Sequence, residues 1–122
     1  CARGIGMNIR HVRDAVIIQS DTPLITDGQS ALDLIASIYY EHGCAAAVMN
    51  KEAVAEDFFR LSTGLAGEAA QKFVNYHFRL ALTGDFSMYQ SQPLQDFMRE
   101  SNKGRHLYFC RDEQEALRKL GT

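Results

Sequence analysis

The chain has 122 residues, a net charge of −2 and a pI near 6.1, with 46% apolar and 23% charged residues. These values suit one packed domain and exclude disorder. There is no lysine or arginine field of the kind that holds a phosphate backbone, and no apolar run reaches membrane-span length, so neither nucleic acid nor a membrane is an expected partner.

Residues 1–6 precede Met7 and read as a leader or an appended segment outside the fold. Residues 8–12 and 15–19 are strand-like runs around Arg13-Asp14, which predicts a tight hairpin. Val16, Ile17 and Ile18 form a β-branched run, as in a strand covered on both faces. A helix is predicted from Thr26, with Gln29 completing a capping box, with Leu32, Ile35, Ala36 and Tyr39 on its apolar stripe, and with Gly43 as its stop. Residues 45–49 read as a buried strand and residues 52–59 as a short helical turn carrying Phe58 and Phe59 inward.

After Ser62-Thr63-Gly64 the spacing of Ala66, Ala69, Ala70, Phe73 and Val74 predicts a helix reaching about residue 78. Residues 79–83 read as a strand closed by Gly84-Asp85. Ser91 and Pro93 open a helix with Leu94, Phe97 and Met98 inward and Gly104 as its stop. Residues 106–110 form the last strand, and Asp112 with Glu115 caps a last helix that buries Ala116, Leu117 and Leu120.

Strands and helices alternate after the hairpin. The expected fold is therefore α/β, with a mixed, mostly parallel sheet of about five strands and about four helices. In such sheets ligands meet the carboxyl ends of the strands and the helix mouths beside them. That edge is expected to collect Asn50, Lys51, Ser62, Thr63, Gly64, Gly84 and Asp85.

The order of elements, with Ser62-Thr63-Gly64-Leu65, resembles a STAS domain, the fold of anti-sigma factor antagonists. There a strand leads into a loop reading Asp-Ser-Ser-Gly-Leu, and the first serine is phosphorylated in regulatory members. Ser62 matches that serine and Thr63 the second, while Leu61 stands where the family has aspartate. The ending, from Phe109-Cys110-Arg111-Asp112 to Leu117, is similar to the STAS strand and acidic helix.

Residues 7–120 resemble still more closely a small uncharacterised bacterial family, domain of unknown function 4180. The matching segments include Ala31-Leu32-Asp33-Leu34-Ile35, Asn50-Lys51-Glu52-Ala53, Gly64-Leu65-Ala66-Gly67-Glu68 and Gly84-Asp85-Phe86-Ser87. The resemblances imply that residues 7–122 form a single STAS-like domain.

Ser62 and Thr63 are read as cap and loop residues or, functionally, as phospho-acceptors whose phosphate the helix amides favour. Asp85 suits an Asx turn, and Glu68 suits an ion pair with Lys72 one helical turn on. Gly64 and Gly67 form neither a Walker loop nor a dinucleotide fingerprint. The histidines are scattered, no Cys-x-x-Cys exists, and no metal or cofactor is expected. His77 is expected as a hydrogen-bonded core histidine, and Cys44 and Cys110 as small buried hydrophobes in a reducing, cytoplasmic setting. Phe86, Met88 and Tyr89 lie in a loop that packs on the sheet edge or faces a partner.

The preferred function is a non-enzymatic regulatory or protein-interaction module of the STAS type, switched at Ser62, with an unknown protein or a second copy as partner. The alternatives are a domain binding an anionic small molecule at the same edge, and a small hydrolase or transferase using Asp85 or Glu68.

Overall fold

A computed structural model describes residues 7–12 and 15–120. The leader and the Arg13-Asp14 turn fall outside the described residues. Strands β1 (Met7–Val12), β2 (Ala15–Ser20), β3 (Ala46–Asn50), β4 (Arg79–Thr83) and β5 (Leu107–Cys110) form one sheet in the spatial order β1-β2-β3-β4-β5. The first pair is antiparallel, with Ile9 opposite Ile18, and the other three are parallel, with Met49 beside Leu82 and Leu82 beside Phe109. The helices are α1 (Gly28–His42), α2 (Leu65–Asn75), α3 (Gln92–Lys103) and α4 (Glu113–Leu120).

Right-handed crossovers that always step to the next strand place every crossover helix on one face. Accordingly α1, α2 and α3 cover the face carrying Val16, Ile18, Met49, Leu80, Leu82 and Phe109, and α4 alone covers the other. Side chains match the covering. Under α4 the sheet presents Ala15, Ala46 and Ala81 with Ile17 and Val48, and Ala116 and Leu120 settle on them. Alanine strands, poor by propensity, are explained by this close approach. Exposed Arg10 on β1 pairs with Glu113 at the start of α4 across the same face.

Several local expectations shift. Helix α1 is capped by Asp27, not Thr26, and its box partner is Ser30, not Gln29. The carboxylate accepts from the Ser30 amide at 2.7 Å, while Ser30 Oγ accepts from the Asp27 amide at 3.0 Å. The buried stripe is Ala31, Ile35 and Ile38, whereas Ala36 and Tyr39 are exposed. The Tyr39 hydroxyl donates instead to the Tyr76 carbonyl at 2.7 Å.

Helix α2 ends at Asn75, so Val74 is 45% exposed and His77 is exposed at φ 55 in the following turn, not in the core. The chain must reverse there to bring Phe78 under the helix and start β4. The expected signals at Gly43, Ser91, Pro93 and Asp112 are used as caps.

Candidate functional site

The carboxyl ends of β2, β3 and β4 are tied together by side chains. The Asn50 side chain accepts from the Ser20 amide at 2.9 Å and donates to the Ser20 carbonyl at 2.8 Å, a two-point contact that a primary carboxamide can make with one residue's backbone. Its Nδ2 also donates to Glu52 at 3.1 Å. Asn50 thus bridges β2 and β3 beyond their last paired residues, Ile18 and Met49.

Lys51 crosses to the next strand end. Its Nζ donates to the Asp85 carbonyl at 2.9 Å, lies 3.0 Å from Met88 Sδ and stands 5.5 Å above the Tyr89 ring centroid. Its Cγ and Cδ lie 3.0 Å from where a Cβ on Gly84 would sit, so a side chain there would push the lysine stem aside, and φ 147 at Gly84 is a backbone conformation that favours glycine.

Asp85 makes the Asx turn expected of it. One carboxylate oxygen accepts from the Ser87 hydroxyl at 2.6 Å and from its amide at 3.0 Å. These bonds, with the more distant Lys51 charge, hold the Asp85 carboxyl below its usual range.

The loop after Asp85 is packed down. Phe59 stacks on Tyr89 at 4.7 Å, and Phe86 meets Phe109 edge-on at 5.4 Å. The Tyr89 hydroxyl donates to Glu56 at 3.1 Å, and burial, followed by that carboxylate, pushes the phenol up to about 12. Of the large apolar side chains in this loop, Phe86, Met88 and Tyr89, Met88 stands out, 62% exposed. Two clefts flank the loop. One of about 350 Å³ is lined by Asp21, Lys51, Glu52, Glu56 and Tyr89. The other, of about 560 Å³, lies between the ends of β4 and β5 and is lined by Asp85, Ser87, Phe109, Arg111 and Glu115. The Cys110 thiol beside it is pushed up to about 11 by burial and then by Glu115.

Ser62, Thr63 and Gly64 line neither cleft. They form the mouth of α2. Thr63 Oγ1 lies 2.8 Å from both the Asp57 and the Arg60 carbonyls and accepts from the Leu65 amide at 3.3 Å. Gly64, at φ 79, is the N-cap and has no side chain with which to cap α2. Ser62 is exposed and makes no hydrogen bond among the described residues. The sequence-predicted set therefore divides: Asn50, Lys51, Gly84 and Asp85 share one network, and Ser62, Thr63 and Gly64 form a second locus.

Glu68 does not pair with Lys72 among the described residues. Its carboxylate occupies the place a Cβ on Gly28 would take, against the first turn of α1, where the helix dipole favours an anion. Glu68 and Asp85 hold different partners and share no hydrogen bond.

Sequence reasoning missed the Asn50–Ser20 bridge, the Phe59–Tyr89 stack and a contact at the opposite edge. There His11 Nε2 lies 3.1 Å from Cys44 Sγ, with the His42 ring 6.0 Å from that of His11. The signal available was the strand register, since His11 pairs with Val16 at the start of β2. No group of three or more His, Cys, Asp or Glu side chains among the described residues could hold a metal ion. No helix among them is long and apolar enough to cross a membrane.

The fold and its edge define an α/β protein with a five-stranded mixed sheet, an N-terminal antiparallel pair and helices divided three to one between the faces. The chain belongs to the family described as domain of unknown function (DUF4180), whose model matches residues 10–120. A search of curated proteins finds no significant match.

Proposed function

We propose that this chain is a non-enzymatic protein-interaction module of the STAS type that presents the mouth of α2 to a partner and is switched by phosphorylation of Ser62. The observation that carries this reading is the contrast between adjacent hydroxyls: Thr63 is held by backbone groups, and Ser62 is exposed with no hydrogen bond among the described residues. A kinase can reach Ser62 without breaking structure, which selects it over Thr63. The N-cap Gly64 brings no capping side chain to the first turn of α2, where Thr63 holds the Leu65 amide, and the remaining amides of that turn would meet an anionic group of a partner. A phosphate on Ser62 adds about −2 charge beside them, competes for those amides and repels an acidic partner surface. Arg60, two residues before Ser62, is exposed and without an ion pair among the described residues. A cytoplasmic setting accords with buried Cys44 and Cys110, which lie on opposite faces of the sheet.

The test is affinity capture from the native host with wild type, Ser62→Ala and Ser62→Glu, combined with phosphosite mass spectrometry. Wild type and Ser62→Ala are expected to recover the same stoichiometric partner and Ser62→Glu to lose it. Identical recovery by all three, or absence of Ser62 phosphate across growth states, refutes the switch.

A second reading is favoured by the 560 Å³ cleft, where Arg111 stands beside the aromatic side chain of Phe109. It would bind a small anionic ligand with an apolar body. A rise in melting temperature with an anion from a metabolite panel, abolished by Arg111→Ala, supports that reading.

A further inference from the structure

The flank of α1 turned toward β1 carries a groove that the switch at Ser62 does not use. Its volume is about 530 Å³. Ile9, Ile18, Leu24, Leu34 and Ile38 line it, and Ile9 is 42% exposed although it lies on the helix-covered face. Strand β1 is the last strand of the sheet on that side, so its outer backbone groups have no strand partner among the described residues. An edge strand beside an apolar groove is the arrangement that accepts an added strand, with backbone pairing for affinity and alternate side chains in the groove for specificity.

The charges select the occupant. Asp33 and Glu41 line the groove, and both are hydrogen-bonded only to neutral donors, Gln29 at 3.0 Å and Ser37 at 3.2 Å. No lysine or arginine occurs anywhere between residues 14 and 50. Arg10, on the adjoining strand, points to the opposite face and pairs with Glu113. A second copy would bring the same acidic rim against this one, and like charges disfavour that pairing. A cationic segment relieves it.

The spacing sets the pattern. Eight residues along α1 separate Asp33 from Glu41, about 12 Å of helix axis. An extended strand covers that distance in roughly four residues. We infer that the β1 edge takes an extended segment of another protein as a sixth strand, with an aliphatic side chain in the groove and a lysine or arginine two residues to either side, meeting Asp33 and Glu41. This inference is independent of the Ser62 reading, since it concerns the other flank of α1.

The probe is the peptide Thr-Lys-Thr-Ile-Thr-Lys-Thr, compared by amide chemical-shift titration with its glutamate counterpart, in which both lysines are replaced. The lysine peptide is expected to shift the amides of Ile9 and Ile38 and to bind at least about tenfold more tightly than the glutamate peptide. The double variant Asp33→Asn, Glu41→Gln, with circular dichroism and melting temperature as fold controls, is expected to weaken it by roughly tenfold and to flatten its salt dependence. Three results overturn the inference: no binding of the lysine peptide, equal binding of both peptides, or shifts confined to other surfaces. A dimer in sedimentation that excludes the peptide and dissociates in Ile9→Lys would instead assign the groove to a second copy.

Discussion

At the mouth of α1, Asp27 and Ser30 exchange hydrogen bonds, and the Glu68 carboxylate lies over Gly28. At the mouth of α2 there is a glycine, a threonine turned back onto its own loop, and an exposed serine. Helices α3 and α4 follow the first pattern, with Ser91 facing the Leu94 amide and Asp112 accepting from Glu115 at 2.9 Å. Among the described residues α2 is thus the one helix whose N-cap residue has no capping side chain, although a capping residue is a small change in sequence terms. Stability alone would favour closing it, since a cap contributes about 1 kcal/mol. What fixes the start of α2 is the turn before it, in which Phe58 and Phe59 are buried beneath the helix and Phe59 stacks on Tyr89. The loop is anchored from below, and its upper surface stays available.

If that anchoring is right, Phe58→Ala is the most damaging change in either region, lowering unfolding free energy by about 3–5 kcal/mol in denaturant titration. Gly64→Ala comes next, because a Cβ at φ 79 is strained, at roughly 1–2 kcal/mol. Asp27→Ala removes the closed mouth's cap and costs about 1 kcal/mol. Ser62→Ala touches nothing and is expected to stay within about 0.5 kcal/mol of wild type. A Ser62→Ala loss as large as that of Asp27→Ala would erase the distinction between the two mouths.

The last effect is silent at neutral pH. The Tyr89 phenol titrates higher in the folded state, about 12, than its ordinary 10. Its contribution is therefore complete below pH 10 and is lost as pH rises toward 12. Ultraviolet difference titration should show one tyrosine ionising late, and Tyr89→Phe should remove both that late step and the associated fall in stability.

The elements themselves could be read from the chain because their signals are local: β-branched runs, apolar spacing at three and four residues, and Gly43, Pro93 and Gly104 as punctuation. Boundaries moved where two local signals competed, as at Thr26 and Asp27, where the carboxylate took the cap. The site was legible only as a list of strand-end residues. Its division was not, because the contacts that make it run across the chain. Lys51 reaches Asp85, 34 residues on, and Asn50 reaches back 30 residues to Ser20. Glu68 had a plausible neighbour at Lys72 and took a distant one at Gly28, a choice set by how α1 packs on α2.

The spatial order of the strands repeats their order of synthesis. Each new strand docks on the one made just before it, so loop-closure entropy stays small at every parallel step. A nascent chain can therefore consolidate strand by strand, each new segment finding its partner already made. Among the described residues α4, laid last across the alanine face and joined to Arg10 by Glu113, links the final helix back to β1.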